Sequence, residues 1–265
     1  MKIAGVEISN ADKVIFPTLG ITKEEMATYY EKVADKMLPY MKDRPLILQR
    51  FPDGIDEDGF YQKSASEYFP DFIKRIKVKT EKGHNTQFYV NSIKPLIYLV
   101  NQGTVTFHIW LSKRDRLKRP DKVVFDLDPS GNSFNEVKEA ALLIRGYLHK
   151  KDIEPFLMTS GKSGLHVWYE KRRTKEFDKV KEEVKIYSVE LEKKHSDVFT
   201  TAIRKDQRNG KIFIDYLRNE YAQTSVCPYS LRATPEAGIA HPIKWEELSS
   251  IKSADQFTIK DYLKS

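Results

Sequence analysis

Val123-Val124-Phe125-Asp126-Leu127-Asp128-Pro129 is the stretch on which the fold turns. Its apolar residues make a strand, and alternation along a strand points Asp126 and Asp128 to the same side. Two adjacent carboxylates repel unless they are protonated, hydrogen-bonded or bridged by a cation. At a strand end, before a proline and a glycine turn, they form a seat for hard divalent cations. The alternative is a strand terminus whose acids cap the following turn, and taken alone the two readings lie close together.

Downstream, Thr159-Ser160-Gly161-Lys162-Ser163-Gly164-Leu165-His166 joins small residues to a lysine, two hydroxyls and a histidine. Small residues let a backbone approach a phosphate, and Lys162, Ser160 and Ser163 can reach its oxygens. Phe156 occupies the position where a Walker loop needs glycine, and the order is strand, turn, strand. Taken by itself, this run reads better as a glycine-rich hairpin with a structural histidine. In Ile212-Phe213-Ile214-Asp215-Tyr216-Leu217-Arg218-Asn219, Asp215 lies in an apolar strand, where an ionised carboxylate needs a metal or a cation; Arg218 is the salt-bridge alternative. Tyr229-Ser230-Leu231-Arg232 sets an arginine on another expected strand. Three strand-borne aspartates, a Ser/Lys/His turn and an arginine are together what two-metal phosphoryl transfer requires.

The spacing predicts helices around this centre. Thr22-Lys23-Glu24-Glu25 is a capping box opening a helix to about Leu38, and Ser133 to Glu136 repeats it before Val137, Ala141, Ile144 and Leu148. Lys175 to Lys194 reads as a third, largely solvated helix. Strands are expected at 46–50, 73–78, 96–100, 105–109, 123–127, 165–169 and 212–216. They come in pairs as often as they alternate with helices, so a mixed sheet is expected.

The 265 residues carry 45 Lys+Arg against 38 Asp+Glu, a net charge of +7 that suits a polyanionic partner. A single cysteine, Cys227, excludes an intramolecular disulfide and a Cys-rich zinc site. No run of about 18 apolar residues occurs, so a soluble, intracellular protein without membrane contact is expected. Regular elements continue from end to end, with no flexible linker, which suggests a single domain over 1–265.

These motifs closely resemble the archaeo-eukaryotic primase superfamily, and within it the polymerase domain of ligase D, the prokaryotic enzyme of non-homologous end-joining. The DLDP at Asp126 and Asp128, the S-G-x-x-G-L-H run from Ser160 to His166 and the apolar strand ending at Asp215 match its three motifs in order. The likeness extends from Asn10–Pro17 through Arg44-Pro45, Arg50–Gly54 and Asn101–Leu111 to Cys227–Ala233, nearly the whole chain. It implies a mixed α/β (α+β) primase-polymerase fold, a recognition-motif-like catalytic sheet packed on an N-terminal α/β part. Asp126, Asp128 and Asp215 would hold two Mn²⁺ or Mg²⁺ ions. His108, Ser160, Lys162, His166, Arg218 and Arg232 would surround the incoming NTP or dNTP. Asn10, Lys13 and Lys23 match positions that bind a 5′-phosphate at a DNA gap or broken end, and Phe60 and Tyr61 match an aromatic pair that stacks on template bases.

The resemblance further implies gap filling with a preference for ribonucleotides, in the prokaryotic cytoplasm at the nucleoid. The ligase and phosphoesterase domains of bacterial relatives are missing from this sequence, so a stand-alone subunit is expected, working with a separate ligase, a phosphoesterase and Ku. Lys162 sits one residue earlier than in many relatives, Thr234 stands where many carry a second arginine, and Gln49 where a lysine is often found. A phosphatase of the haloacid-dehalogenase type also begins from DxD, but roughly half of this chain precedes Asp126 and Pro129 follows Asp128. A replicative primase, which starts chains without a primer, and an inactive DNA-end-binding module are rival functions for the same motifs.

Overall fold

In the computed structural model, which describes residues 1–80 and 83–264, two sheets carry helices on their outer faces and meet across a cleft. In chain order, β1 (Lys2–Ile3) pairs with β2 (Val6–Glu7), and β3 (Val14–Phe16) with β4 (Ile21–Thr22), before helix α1 (Lys23–Met41). β5 (Leu46–Arg50), β6 (Phe60–Gln62), the hairpin of β7 (Lys74–Thr80) and β8 (Gly83–Tyr89), α2 (Ile93–Asn101) and β9 (Thr104–Trp110) follow. The rest runs β10 (Lys122–Asp128), α3 (Phe134–His149), β11 (Phe156–Thr159), β12 (Leu165–Glu170), α4 (Phe177–Lys194), β13 (Phe199–Thr200), β14 (Ile212–Asp215), β15 (Thr224–Val226), β16 (Pro242–Ile243) and α5 (Ile259–Leu263).

The six-stranded sheet has the order β13-β14-β10-β12-β11-β16. All its pairs are antiparallel except β13 with β14, so the sheet is mixed, as expected. Strand alternation divides it cleanly. Val123, Phe125 and Leu127 of β10, Leu165 and Val167 of β12, and Ile212 and Ile214 of β14 pack under Val137, Ala141 and Ile144 of α3 and Val180 and Val184 of α4. The opposite face therefore receives Asp126, Asp128, His166 and Asp215. The four-stranded sheet, β15-β9-β5-β6, packs Leu46, Leu48, Val105, Phe107 and Ile109 against the apolar residues of α1 and α2. Its other face presents Ile47, Gln49, Tyr61, Thr106, His108 and Val226, by the same alternation.

Both expected capping boxes form: Thr22 Oγ1 accepts from the Glu25 N–H at 3.2 Å and Ser133 Oγ from the Glu136 N–H at 3.4 Å, with the glutamates reaching back. Helix α1 continues past Leu38 and through Pro39 to Met41, with Met37 and Met41 fully buried in its last turn. The strand expected at 96–100 is instead helix α2. Leu96, Ile97, Leu99 and Val100 are all fully buried, and an apolar run enclosed on nearly all sides carries no period by which strand and helix can be told apart. Pro95 in its first turn, where the missing N–H costs nothing, and Gly103 just beyond its end are the helical signals.

Arg44 latches the two halves. Its guanidinium donates to both Asp121 oxygens, at 2.6 and 2.8 Å, and to the Trp110 carbonyl at 3.1 Å. Beyond β14 the chain makes a 3-10 turn, Tyr216–Asn219, and crosses to the four-stranded sheet as β15. Among the described residues, no helix is long and apolar enough to cross a membrane.

Candidate active site

Strand register assembles the site. In the central strand β10, Asp126 is the direct partner of His166 on β12 and of Asp215 on β14, so three candidate residues from three strands stand on one rung. Asp128 lies two residues further along the same face. His166 Nε2 is 3.2 Å from one Asp126 oxygen, and Arg218 Nε is 3.1 Å from the other. The same Arg218 nitrogen is 3.1 Å from Asp215 Oδ2, while Asp215 Oδ1 accepts the Leu217 N–H at 3.1 Å.

The carboxylates are electrostatically unequal. Burial alone would raise the Asp126 carboxyl, but His166 and then Arg218 overcome it and hold the group well below the usual carboxylate range. Asp128 has no hydrogen-bond or ion-pair partner among the described residues, and burial, then the neighbouring Asp126, push it above that range. Burial raises Asp215 as well, against the pull of Arg218. An unpaired, half-buried carboxylate beside two others is a donor set suited to hard divalent cations. No three His, Cys, Asp or Glu side chains among the described residues are already gathered into a metal cage, and the Arg218 guanidinium stands between two of the acids.

The turn between β11 and β12 closes one side of the pocket. Ser160 Oγ accepts from the N–H groups of Lys162 at 3.2 Å and Gly164 at 3.0 Å, which leaves its own proton available. Arg232 Nη1 donates to the Ser160 carbonyl at 3.0 Å, and its buried Nε has no partner. Gly161, at a φ of 70°, lies so near the Ile239 backbone that a Cβ would stand 2.7 Å from it. The exposed Lys162 amine lines the pocket without a partner among the described residues, its pKa lowered by partial burial and then by Arg232. His108 comes from the facing sheet; burial, followed by Arg232, Arg218, His166 and Lys162, pushes its imidazole down to about 3, so it is neutral. Its Nε2 is buried and unpaired. The pocket, about 120 Å³ accessible to water, therefore joins carboxylates on one wall to cations and polar groups on the others.

Three participants carry no signal in the sequence. Ser225 of β15 places its Oγ 3.4 Å from His166 Nδ1, linking the two sheets across the cleft, and Thr224 beside it also lines the pocket. Asn219 accepts from the Val124 N–H at 2.9 Å and donates to the Val124 carbonyl at 2.7 Å, completing the edge of β10 where β14 has ended. Arg232 does not lie on the expected strand. Tyr229 adopts a left-handed φ of 67°, which an extended strand cannot contain, and only an isolated bridge joins Leu231 to Ile239.

Away from the pocket, Lys13 and Lys23 lie close enough for Lys13 to depress the Lys23 amine, after the larger effect of burial. Lys23 donates to the Ser9 carbonyl at 2.7 Å, Lys13 to Asp53 at 2.8 Å, and the Asn10 carbonyl accepts the Lys13 N–H at 3.1 Å. The three residues form one cluster at the N-terminus of α1. Phe60 and Tyr61 are separated by the alternation of β6. Tyr61 turns toward the cleft, its ring 6.0 Å from that of His108, whereas Phe60 turns to the other face beneath the Arg50 guanidinium at 5.1 Å.

A family model described as LigD, primase-polymerase domain, matches residues 22–265. The chain is 33% identical to the multifunctional non-homologous end joining protein LigD of Pseudomonas aeruginosa, over 97% of this chain and 31% of that protein. It is 27% identical to the bifunctional non-homologous end joining protein LigD of Bacillus subtilis, over 96% of this chain and 41% of that one. The chain thus spans between 31% and 41% of the length of these curated relatives. Among solved structures, the polymerase domain from Mycobacterium tuberculosis ligase D in complex with DNA superposes with a TM-score of 0.91 at 27% identity, covering 98% of this chain and 93% of that domain.

Proposed function

The chain belongs to the LigD primase-polymerase domain family, and from that premise we propose that it is a nucleotidyltransferase that extends a primer along a template at DNA gaps and broken ends during non-homologous end-joining. The observation that carries this reading is the rung of Asp126, Asp215 and His166, with Asp128 beside it, facing a pocket lined by Arg218, Arg232, Lys162 and His108. Negative groups for cations stand opposite positive groups for a polyphosphate, which is the charge layout of phosphoryl transfer.

Asp126, Asp128 and Asp215 would hold two Mn²⁺ or Mg²⁺ ions. Such ions make a primer 3′-hydroxyl more acidic and neutralise a leaving pyrophosphate. The chain's own groups position the nucleotide. Lys162 and Arg232 supply charge to the triphosphate, Ser160 has a hydroxyl proton to donate, and neutral His108 can accept or donate one hydrogen bond. Asn10, Lys13 and Lys23 bind the 5′-phosphate of the downstream strand, where Lys13 exchanges Asp53 for the phosphate. Tyr61 stacks on the template base from the cleft side, with Phe60 supporting the strand from the far face of β6. The relative from Mycobacterium tuberculosis was solved with DNA, and DNA with a 5′-phosphorylated gap is the substrate proposed here. We further assign to it a preference for ribonucleotides, a cytoplasmic place at the nucleoid, and cooperation with a ligase, a phosphoesterase and Ku.

Extension of a labelled primer across a short gap tests the reading, with Mn²⁺ or EDTA, NTPs or dNTPs, and the gap with or without its 5′-phosphate. The expected result is metal-dependent extension, stronger with NTPs and with the phosphate. It should be lost in Asp126→Ala by more than the roughly 100-fold that removing a group behind a metal ligand costs. Extension that persists in Asp126→Ala or in EDTA would overturn the assignment. Synthesis without any primer would move the function to a primase.

A further inference from the structure

We propose that Arg218 is the resident counterion of the carboxylate site: it bridges Asp126 and Asp215 in the metal-free protein, gives way to metal, and passes to the triphosphate of the incoming nucleotide, so that metal and nucleotide bind cooperatively. This rests on the reading of the aspartates as metal ligands.

One nitrogen, Arg218 Nε, lies 3.1 Å from Asp126 Oδ2 and 3.1 Å from Asp215 Oδ2. A positive charge between the two acids offsets the repulsion that strand register forces on them as direct partners. A divalent ion bound to both oxygens would bring its charge to the same point, and two cations cannot occupy it together. Guanidinium and metal therefore compete for Asp126 and Asp215, while Asp128, which has no partner among the described residues, is open to metal at once.

The arginine has somewhere to go. Its side chain is 38% exposed, on the short 3-10 turn Tyr216–Asn219, and lines the pocket with Arg232 and Lys162. Its terminal nitrogens bond nothing among the described residues, leaving the planar fork free for the phosphate oxygens it matches. A nucleotide that captures this fork removes the competitor from the carboxylates. By linkage, metal then strengthens nucleotide binding by the same factor, in the range of roughly 5- to 150-fold for such couplings.

Calorimetric titration of the metal-free protein with Mn²⁺, alone and with a non-hydrolysable NTP analogue, reads this coupling directly. The wild type should bind Mn²⁺ more tightly with the analogue present. Arg218→Gln should bind Mn²⁺ alone about 10-fold more tightly than wild type, with the coupling factor reduced by about the same amount and the remainder coming from contact between metal and phosphate. Arg218→Lys, which puts a methylene where Nε now stands between the two acids, should also gain affinity for Mn²⁺ alone and carries the test if the glutamine variant does not fold. Unchanged or weaker Mn²⁺ binding in these variants, with binding still dependent on Asp126, overturns the role of Arg218. Wild-type protein that shows no Asp126-dependent Mn²⁺ binding overturns the metal reading itself.

Discussion

Gly164 passes so close to Leu127 that a Cβ on it would lie 2.1 Å from the Leu127 carbonyl oxygen. Its φ is ordinary, so space alone demands glycine. The contact seats the Ser160–Gly164 turn on β10 between Asp126 and Asp128.

Gly164→Ala forces that turn away from β10 and should destabilise the fold by about 3 kcal/mol, the upper part of the range for overpacking. At roughly 2–4 °C per kcal/mol for a chain of this size, melting should fall by about 6–12 °C. Nucleotide affinity should drop in the folded fraction. A melt within a degree of wild type would show that the contact is slack.

Tyr61 and Phe60 should separate in function because they occupy opposite faces of β6. Tyr61→Ala should weaken binding of a gapped duplex with an unpaired template base by about 1–3 kcal/mol, the usual loss for one stacking partner. Phe60→Ala should cost less. Fluorescence anisotropy on the two variants decides it, and equal losses would contradict the assignment of faces.

Lys13→Ala removes the charge that Asp53 now engages. Affinity for a gap bearing a 5′-phosphate should fall by about 10-fold, the scale of one charged hydrogen bond. The gap without phosphate should be bound nearly as before. The slope of log affinity against log salt should also flatten by roughly 0.9, because the variant neutralises one phosphate fewer.

Lys122 makes a stability test independent of activity. It is buried, with its amine 3.6 Å from the centre of the Trp168 ring, and burial pushes its pKa from 10.5 down to about 7. The unfolded chain holds the lysine proton up to pH 10.5 and the folded chain only up to about 7. Stability therefore rises with pH through that window, and the penalty is complete below about pH 7. Lys122→Met should stabilise the protein at pH 6 by up to about 4–5 kcal/mol, roughly 1.4 kcal/mol for each unit between the two values. The gain should fade toward pH 10.5. Urea unfolding of both proteins across the range measures it, and a constant difference would refute the titration.

How far the sequence reveals this structure depends on whether the deciding information is local. Capping boxes are local, and both form, at Thr22 and Ser133. Alternation is local, so Asp126 and Asp128 stand on one side as expected. Helix α2 is hidden because burial of Leu96, Ile97, Leu99 and Val100 erases any period. The strand expected around Arg232 fails because nothing in Tyr229 announces a left-handed backbone. The meeting of Asp126 with His166 and Asp215 depends on pairing between segments about 40 and 90 residues apart, and no spacing encodes that. Ser225 and Asn219 join the site only through such pairing, one with His166 and the other with Val124.

The register that brings Asp126, His166 and Asp215 onto one rung is the same register that fills the core beneath α3 and α4. A slip of β10 by one residue would turn Asp126 and Asp128 into the layer where Phe125 and Leu127 meet α3 and α4, and would expose the apolar residues in their stead. Carboxylates cannot remain charged in that layer without a partner. Misregistered molecules would lose their hydrophobic core along with the carboxylate rung, so a well-folded molecule with its aspartates out of place is excluded.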